Sequence, residues 1–291
     1  MVYTRKNLNL SEIQLSYLEW QPKENQDKKQ PLLLLHGLAD SALVWLNLGE
    51  YLADKYHIVA PDMRGHGESG KPESGYSFEK TIDDLEALIE NLNWSSANIL
   101  GHSWTGKLAC IWARKNPEIF KSMILVDPVF IGKMPGLLKV TFPILYRTLE
   151  TLKGMGPFNS FAEAETQAKE LGKYGGWSEF QQMVFQESIE EKADGKWGSK
   201  FVAPARNEIF EEVMGVPGLT EYIDVPTLFI QPEKGLNRSE LQIKPYKKYL
   251  RNLNLQKISG NHWAFLVEPE NFNQRIEAVS YTHLRAHETR T

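Results

Sequence analysis

Ser103 lies in Gly101-His102-Ser103-Trp104-Thr105-Gly106, between an apolar run at Ala97–Leu100 and a helical pattern that opens at Trp104. A serine hydroxyl is a weak nucleophile at neutral pH. It attacks only with a base in hydrogen-bond reach and a third group to orient that base. A tight strand-to-helix turn would lift the serine above a sheet edge and set the free N–H groups of a helix N-terminus beside a developing oxyanion. Glycine stands two residues before the serine, but Thr105 stands two after it, with Gly106 next. The match to G-x-S-x-G is therefore imperfect, and a plain helix N-cap is the competing role for Ser103. A second motif, Gly65-His66-Gly67-Glu68-Ser69-Gly70, is a literal GxGxxG. A dinucleotide site needs that loop to run straight from strand into helix, whereas Lys71-Pro72 follow and the next helical pattern starts near Thr81. No cofactor is expected from it. The seven histidines include no HExxH and no cluster of ligand spacing, so no metal is expected.

The elements that must position Ser103 alternate in type. Leu32–Leu35 is a short apolar run, Trp45–Lys55 has a helical pattern, and His57–Ala60 reads as a strand stopping at Pro61-Asp62. Thr81–Asn91 carries apolar residues at helical spacing with Asp83 and Asp84 in its first turn. Ala97–Leu100 predicts a strand, Trp104–Lys115 a helix, and Ser122–Val126 a strand ending at Asp127-Pro128. Such alternation predicts a parallel sheet covered on both faces. From about Phe130 to Gly218 the pattern turns mostly helical and is rich in Gly, Pro and aromatic residues. The alternation resumes with a strand at Val225–Ile230, a helix near Tyr246–Leu250 and a last strand at Leu255–Ile258, before Gly260-Asn261-His262. The middle section reads as an insertion. Its Phe142, Tyr146, Phe158, Phe161, Trp177, Phe180, Phe185 and Trp197 could line a pocket or form the insertion's own core.

The chain has 291 residues, 42% hydrophobic and 24% charged, with a formal charge of -4. That suits one large soluble domain carrying an insertion. No basic run stands out, so no nucleic-acid partner is expected, and no apolar stretch is long enough to span a bilayer. The lone Cys110 excludes an internal disulfide and fits a reducing, cytoplasmic setting. Within its helix it reads as a small buried apolar residue. The polar N-terminus does not look like a signal peptide. Residues 279–291 resemble a translated sequencing adapter and are set aside from the fold, which implies a shortened final helix beginning near Pro269.

Taken together, LLLLHGLADSALVW, HIVAPDMRGHGESG, NILGHSWTGKLACIWA, ILVDPV, VPTLFI and ISGNHWAFLVEPENF resemble, in order, the blocks of the α/β-hydrolase fold family. The resemblance extends to about Ala278. It implies an eight-stranded, mostly parallel sheet with helices on both faces, a core of residues 1–129 and 219–278, and a helical cap of residues 130–218 inserted after the sixth strand. It implies Ser103 as nucleophile, His262 as general base, and the backbone N–H groups of Leu38 and Trp104 as oxyanion hole. His36 and Gly37 would be structural, the glycine permitting close approach of backbone and substrate. A serine at 103, where some relatives carry aspartate, argues against dehalogenase and epoxide-hydrolase chemistry. The family's acid usually follows the seventh strand, in a segment like GEKD; here Gln231-Pro232-Glu233-Lys234-Gly235 puts glycine in its place. Asp127, after the sixth strand, is the favoured acid and Glu233 the alternative. The expected activity is cleavage of a carboxylic ester or related acyl bond of a small apolar substrate, without a cofactor. Carbon–carbon bond hydrolysis by the same residues is a variant. A non-catalytic ligand-binding protein on the same fold is the alternative that the missing aspartate at 235 and Thr105 in the turn raise.

Overall fold

The computed structural model describes residues 3–21, 29–136, 152 and 154–277. An eight-stranded sheet forms its centre, in the order β1 (Thr4–Asn9), β2 (Gln14–Trp20), β4 (Tyr56–Pro61), β3 (Gln30–Leu35), β5 (Ala97–His102), β6 (Phe120–Val126), β9 (Thr227–Lys234), β10 (Leu253–Asn261). The β1–β2 and β2–β4 pairs are antiparallel and the remaining pairs parallel. This is the sheet the sequence blocks imply. Strands β3, β5 and β6 are buried runs such as Leu32-Leu33-Leu34-Leu35, as expected where helices cover both faces. One core layer holds α2 (Phe78–Asn91) and α3 (Trp104–Lys115); the other holds α1 (Leu46–Leu52) with the C-terminal residues Phe265 and Phe272. Ten of the twelve residues of α3 are buried, which explains why so little of its sequence is polar.

Between β6 and β9 lie α4 (Phe161–Lys169), α5 (Glu179–Ser188), a short antiparallel hairpin of β7 (Ile189–Glu191) and β8 (Trp197–Ser199), and α6 (Ala203–Gly215). The hairpin is a departure from the mostly helical pattern of the sequence. Its three-residue strands are too short to show an alternation. After β9 come α7 (Glu240–Tyr249), β10 and α8 (Ala264–Val267), then helical residues 269–277. The adapter-like residues 279–291 lie outside the described residues. No helix among the described residues is long and apolar enough to cross a membrane.

Two devices hold α6 on the sheet domain. Glu208 accepts from the backbone N–H groups of Gly75 (3.0 Å) and Tyr76 (2.9 Å), and Glu212 accepts from Phe78 N (2.9 Å), so α6 carboxylates satisfy the chain entering α2. From the other side, the buried Lys107 of α3 donates to the carbonyls of Phe130 (3.0 Å), Gly132 (2.8 Å) and Val213. One ammonium thus joins the nucleophile-bearing helix, the exit from β6 and the end of α6. Burial pushes the Lys107 pKa down to about 7, against the pull of Cys110 and Glu212. Between about pH 7 and the ordinary lysine value of 10.5, the unfolded chain holds a proton that folded Lys107 has released. Stability contributed at this site therefore rises with pH across that window. Urea unfolding at several pH values should show that rise in the wild type and a flatter profile in Lys107→Met; identical slopes would contradict the shift.

Candidate active site

Strand β5 runs into α3 through a turn so tight that Ser103 adopts φ 59°, ψ -119°. A non-glycine residue there costs of order 1–3 kcal/mol, which the surroundings must offset. They do so by packing and hydrogen bonds. A Cβ at Gly101 would lie 2.5 Å from the Thr105 carbonyl oxygen, and one at Gly106 would lie 2.9 Å from Pro128 Cβ. Glycine is thus required at 101 and 106, not at 105. Thr105 is buried, and its hydroxyl lies 2.8 Å from His102 O, 3.0 Å from Leu35 O and 3.1 Å from His36 O, tying the turn to the end of β3. Ser103 N donates to Val126 O (3.0 Å), and Ser103 O accepts from Val129 N (3.1 Å). Ser103 occupies the N-cap position of α3, but its side chain makes no capping hydrogen bond, which leaves the hydroxyl uncommitted to the helix.

Asp127 follows β6, also at positive φ (40°). Its carboxylate is fully buried and meets four donors: Leu236 N at 2.7 Å and His262 Nδ1 at 2.6 Å on Oδ2, Asn237 N at 3.1 Å and Asn237 Nδ2 at 2.9 Å on Oδ1. Burial raises its pKa, but the bonds from His262, Leu236 and Asn237 outweigh burial and hold the carboxyl below its ordinary value. Gly235 explains the room. A Cβ there would fall 2.5 Å from Asp127 Oδ2. The glycine that stands where an aspartate was expected is what lets the Asp127 carboxylate occupy the space. Glu233, the alternative acid, is exposed at the end of β9.

With an ionised carboxylate 2.6 Å from Nδ1, that nitrogen carries the proton, and neutral His262 has its lone pair on Nε2. The loop bearing His262 is fixed at both sides. Asn261 Nδ2 donates to Gly172 O (2.8 Å), and Asn261 Oδ1 accepts from Trp263 N (2.9 Å). Beneath it, His102 Nε2 meets the His262 carbonyl at 2.9 Å. Burial first, then the neighbouring His262, drive the His102 pKa well below its ordinary value, so His102 is a neutral donor. Gly37 is needed by His102 itself, since a Cβ would lie 2.5 Å from His102 Nδ1. The close approach that makes residue 37 glycine is thus made by His102; the sequence reading had assigned it to substrate. His36 is structural: its Nε2 accepts from Met63 N (2.9 Å), and its Nδ1 lies 2.8 Å from Gly37 O.

Leu38, Ser103, Trp104 and His262 all face one cavity of about 480 Å³, a size suited to a small molecule. Trp104 opens α3, where the first N–H groups have no intrahelical acceptor. Leu38 sits in the turn after β3, and that turn is gripped from the insertion. Lys173 forms a buried ion pair with Asp40. Burial alone would lower the Lys173 pKa; the Asp40 charge outweighs it and raises the value. The GxGxxG loop holds no helix N-terminus. Asp62 organises it, with Oδ1 accepting from Ala42 N (2.7 Å) and Oδ2 from Glu68 N (3.0 Å).

The cavity's apolar wall was not legible in the sequence. It comes from Val129, Phe130, Ile209, Phe210, Val213 and Met214, at the exit from β6 and on α6. The aromatic residues singled out in the insertion pack on one another instead. Phe161 lies 5.6 Å from Phe185 and 5.1 Å from Trp197, and Trp177 lies 5.6 Å from Phe185, between ring centroids. Phe142 and Tyr146 lie outside the described residues. Cys110 is buried, its thiol pushed up to about 12 by burial, in keeping with a packing role.

Residues 30–155 match the α/β hydrolase fold family. Most of the chain also superposes on solved structures. The structure of an E-2-(acetamidomethylene)succinate hydrolase aligns at a TM-score of 0.77 with 21% identity, covering 94% of this chain and 98% of that one. The chain has the α/β-hydrolase fold. A marine microorganism esterase shares this fold at a TM-score of 0.72 with 26% identity, over 91% of this chain and 98% of that one. In sequence, the chain is 34% identical to a soluble epoxide hydrolase of Corynebacterium sp. (strain C12) over 116 residues, 39% of each chain. The aligned segments span between 28% and 39% of the curated relatives' own length.

Gly235→Ala should drive a methyl group into the Asp127 carboxylate and destabilise the protein by about 1–3 kcal/mol. Gly215→Ala, where a Cβ meets nothing within 4 Å among the described residues, is the control, with a change within about 0.5 kcal/mol. Urea unfolding of both variants decides it. An unchanged midpoint for Gly235→Ala would show that the carboxylate does not need that space.

Proposed function

We propose that the chain is a serine hydrolase that cleaves a carboxylic ester or related acyl bond through an acyl-enzyme. The observation that carries this reading is the 2.6 Å bond between His262 Nδ1 and a buried Asp127, in a site where His262 and the strained Ser103 face one cavity. Ser103 Oγ attacks the acyl carbon while His262 Nε2 takes its proton. Asp127 holds the imidazole tautomer and stabilises the imidazolium. The N–H groups of Leu38 and Trp104 receive the oxyanion. His262 then protonates the leaving alcohol, and a water deprotonated by His262 releases the acid and regenerates Ser103. The chemistry uses no cofactor or metal. In this reading residues 130–218 act as a cap over the core, and the protein works as a soluble enzyme of a reducing compartment.

Serine at 103 sets this reading apart from the epoxide hydrolase that the chain resembles in sequence, because opening an epoxide by that route needs a carboxylate nucleophile. The binding-protein alternative rests on the missing aspartate at 235 and on Thr105 in the turn, where Thr105 serves to tie the turn to β3. That support is weakened by a carboxylate reaching the same place from position 127.

Steady-state turnover of a chromogenic short-chain ester by Asp127→Asn and Glu233→Gln tests the assignment. Asp127→Asn should lose on the order of a thousandfold or more in kcat, because the imidazole loses its correct tautomer. Glu233→Gln should stay within about twofold, as expected for a solvated surface charge. Equal small losses in both would overturn Asp127 as the acid.

A further inference from the structure

The cavity has one charged wall. The end of β9 and the loop that leads to α7 contribute Lys234 and Arg238 to the lining. Among the described residues, these two and His262 are the titratable side chains of the lining, which includes no aspartate or glutamate. Much of the remaining lining is apolar, including Phe130, Ile209, Phe210, Val213 and Met214. Both cations are exposed, which puts them at the mouth. The segment that carries them is fixed before any ligand arrives. Leu236 N and Asn237 N are held by Asp127, Gln242 Oε1 accepts from Arg238 N (3.1 Å) and Ser239 N (2.9 Å), and Gln242 Nε2 donates to Leu236 O (2.6 Å). Holding Asp127 ionised is already accounted for by His262, Leu236 and Asn237. The nearby acids are engaged or face elsewhere: Glu240 pairs with Lys247 at 2.8 Å, and Glu233 is exposed and outside the lining. A cleft lined by one sign of charge on low-dielectric walls concentrates ligands of the opposite sign.

We propose that the cavity takes an acyl substrate with an apolar chain and a carboxylate at the end remote from the scissile bond, the carboxylate being received by Lys234 and Arg238. The scissile step rests on the serine-hydrolase reading; the anion recognition does not. This narrows the purely apolar substrate expected from the sequence. The apolar chain lies along the α6 wall, and the charge stays at the wet mouth, where two solvated cations recognise it without burial of an unpaired ion.

The test compares p-nitrophenyl hexanoate with mono-p-nitrophenyl adipate, which differ by a terminal carboxylate, on the wild type and Lys234→Met/Arg238→Met. The readout is the adipate-to-hexanoate ratio of kcat/KM. Two exposed charge pairs together should favour the adipate by about tenfold in the wild type, and the double variant should lose that factor through KM. Raising salt from about 0.05 M to about 0.5 M should lower the wild-type ratio and leave the variant's unchanged. A wild-type ratio at or below one, or a ratio that the double substitution does not move, would overturn the proposal. If the wild type hydrolyses neither ester, the hydrolase reading fails. Anion recognition is then judged on Ser103→Ala by quenching of tryptophan fluorescence with monomethyl adipate against methyl hexanoate. Preferential binding of the adipate, lost in Ser103→Ala/Lys234→Met/Arg238→Met, supports recognition. Equal binding overturns it.

Discussion

A carboxylate buried at the end of β6 must be met by donors or it cannot stay charged. Asp127 is met by four, drawn from two loops that are more than a hundred residues away in sequence. That one requirement fixes much of the site. It sets the path of residues 235–237, demands glycine at 235, orients the His262 ring and determines its tautomer. It also places Lys234 and Arg238, because they flank the backbone N–H groups that Asp127 holds. Loss of the carboxylate would release two loops as well as one imidazole.

A second constraint acts on Ser103. Its strained backbone survives because β5 and α3 are almost wholly buried, and because the Thr105 hydroxyl sits within hydrogen-bond distance of three carbonyls, at the end of β3 and at His102. Strain of this kind persists only where the surroundings over-determine it. The same turn is supported from below by neutral His102 and from the side by Pro128, one residue past Asp127. Ser103 and Asp127 are therefore parts of one packed corner. The segment between β6 and β9 is tied to the sheet domain through Lys173–Asp40, Asn261–Gly172 and the Lys107 cluster.

Much of this was readable from the residues alone. The strand–helix alternation, the turn at Ser103 and the sheet implied by the blocks correspond to the observed elements. Helix α3 carries the bounds read from its pattern, Trp104–Lys115. Other features were hidden for physical reasons. Strand β1 is an edge strand of polar, largely exposed residues, TRKNLN, and gives no apolar signal. Strand β2 is buried on both faces, so QLSYLEW shows no alternation. The relation between Asp127 and Gly235 is a matter of through-space fit, and a local motif sees only a missing acid. The cavity wall depends on which face α6 turns inward, and its pattern of Ile209, Phe210, Val213 and Met214 does not say whether a sheet or a void lies opposite. The insertion's most conspicuous aromatics fill the second of the two roles read for them, since large rings close their own small core first.

The central claim is that this corner turns Ser103 into a nucleophile. Pre-steady-state release of p-nitrophenol from p-nitrophenyl acetate, measured on the wild type and on Ser103→Ala, tests it most directly. A burst near one equivalent that vanishes in Ser103→Ala is the predicted result. No burst and no turnover, from a protein shown to be folded by its unfolding transition, would contradict the account.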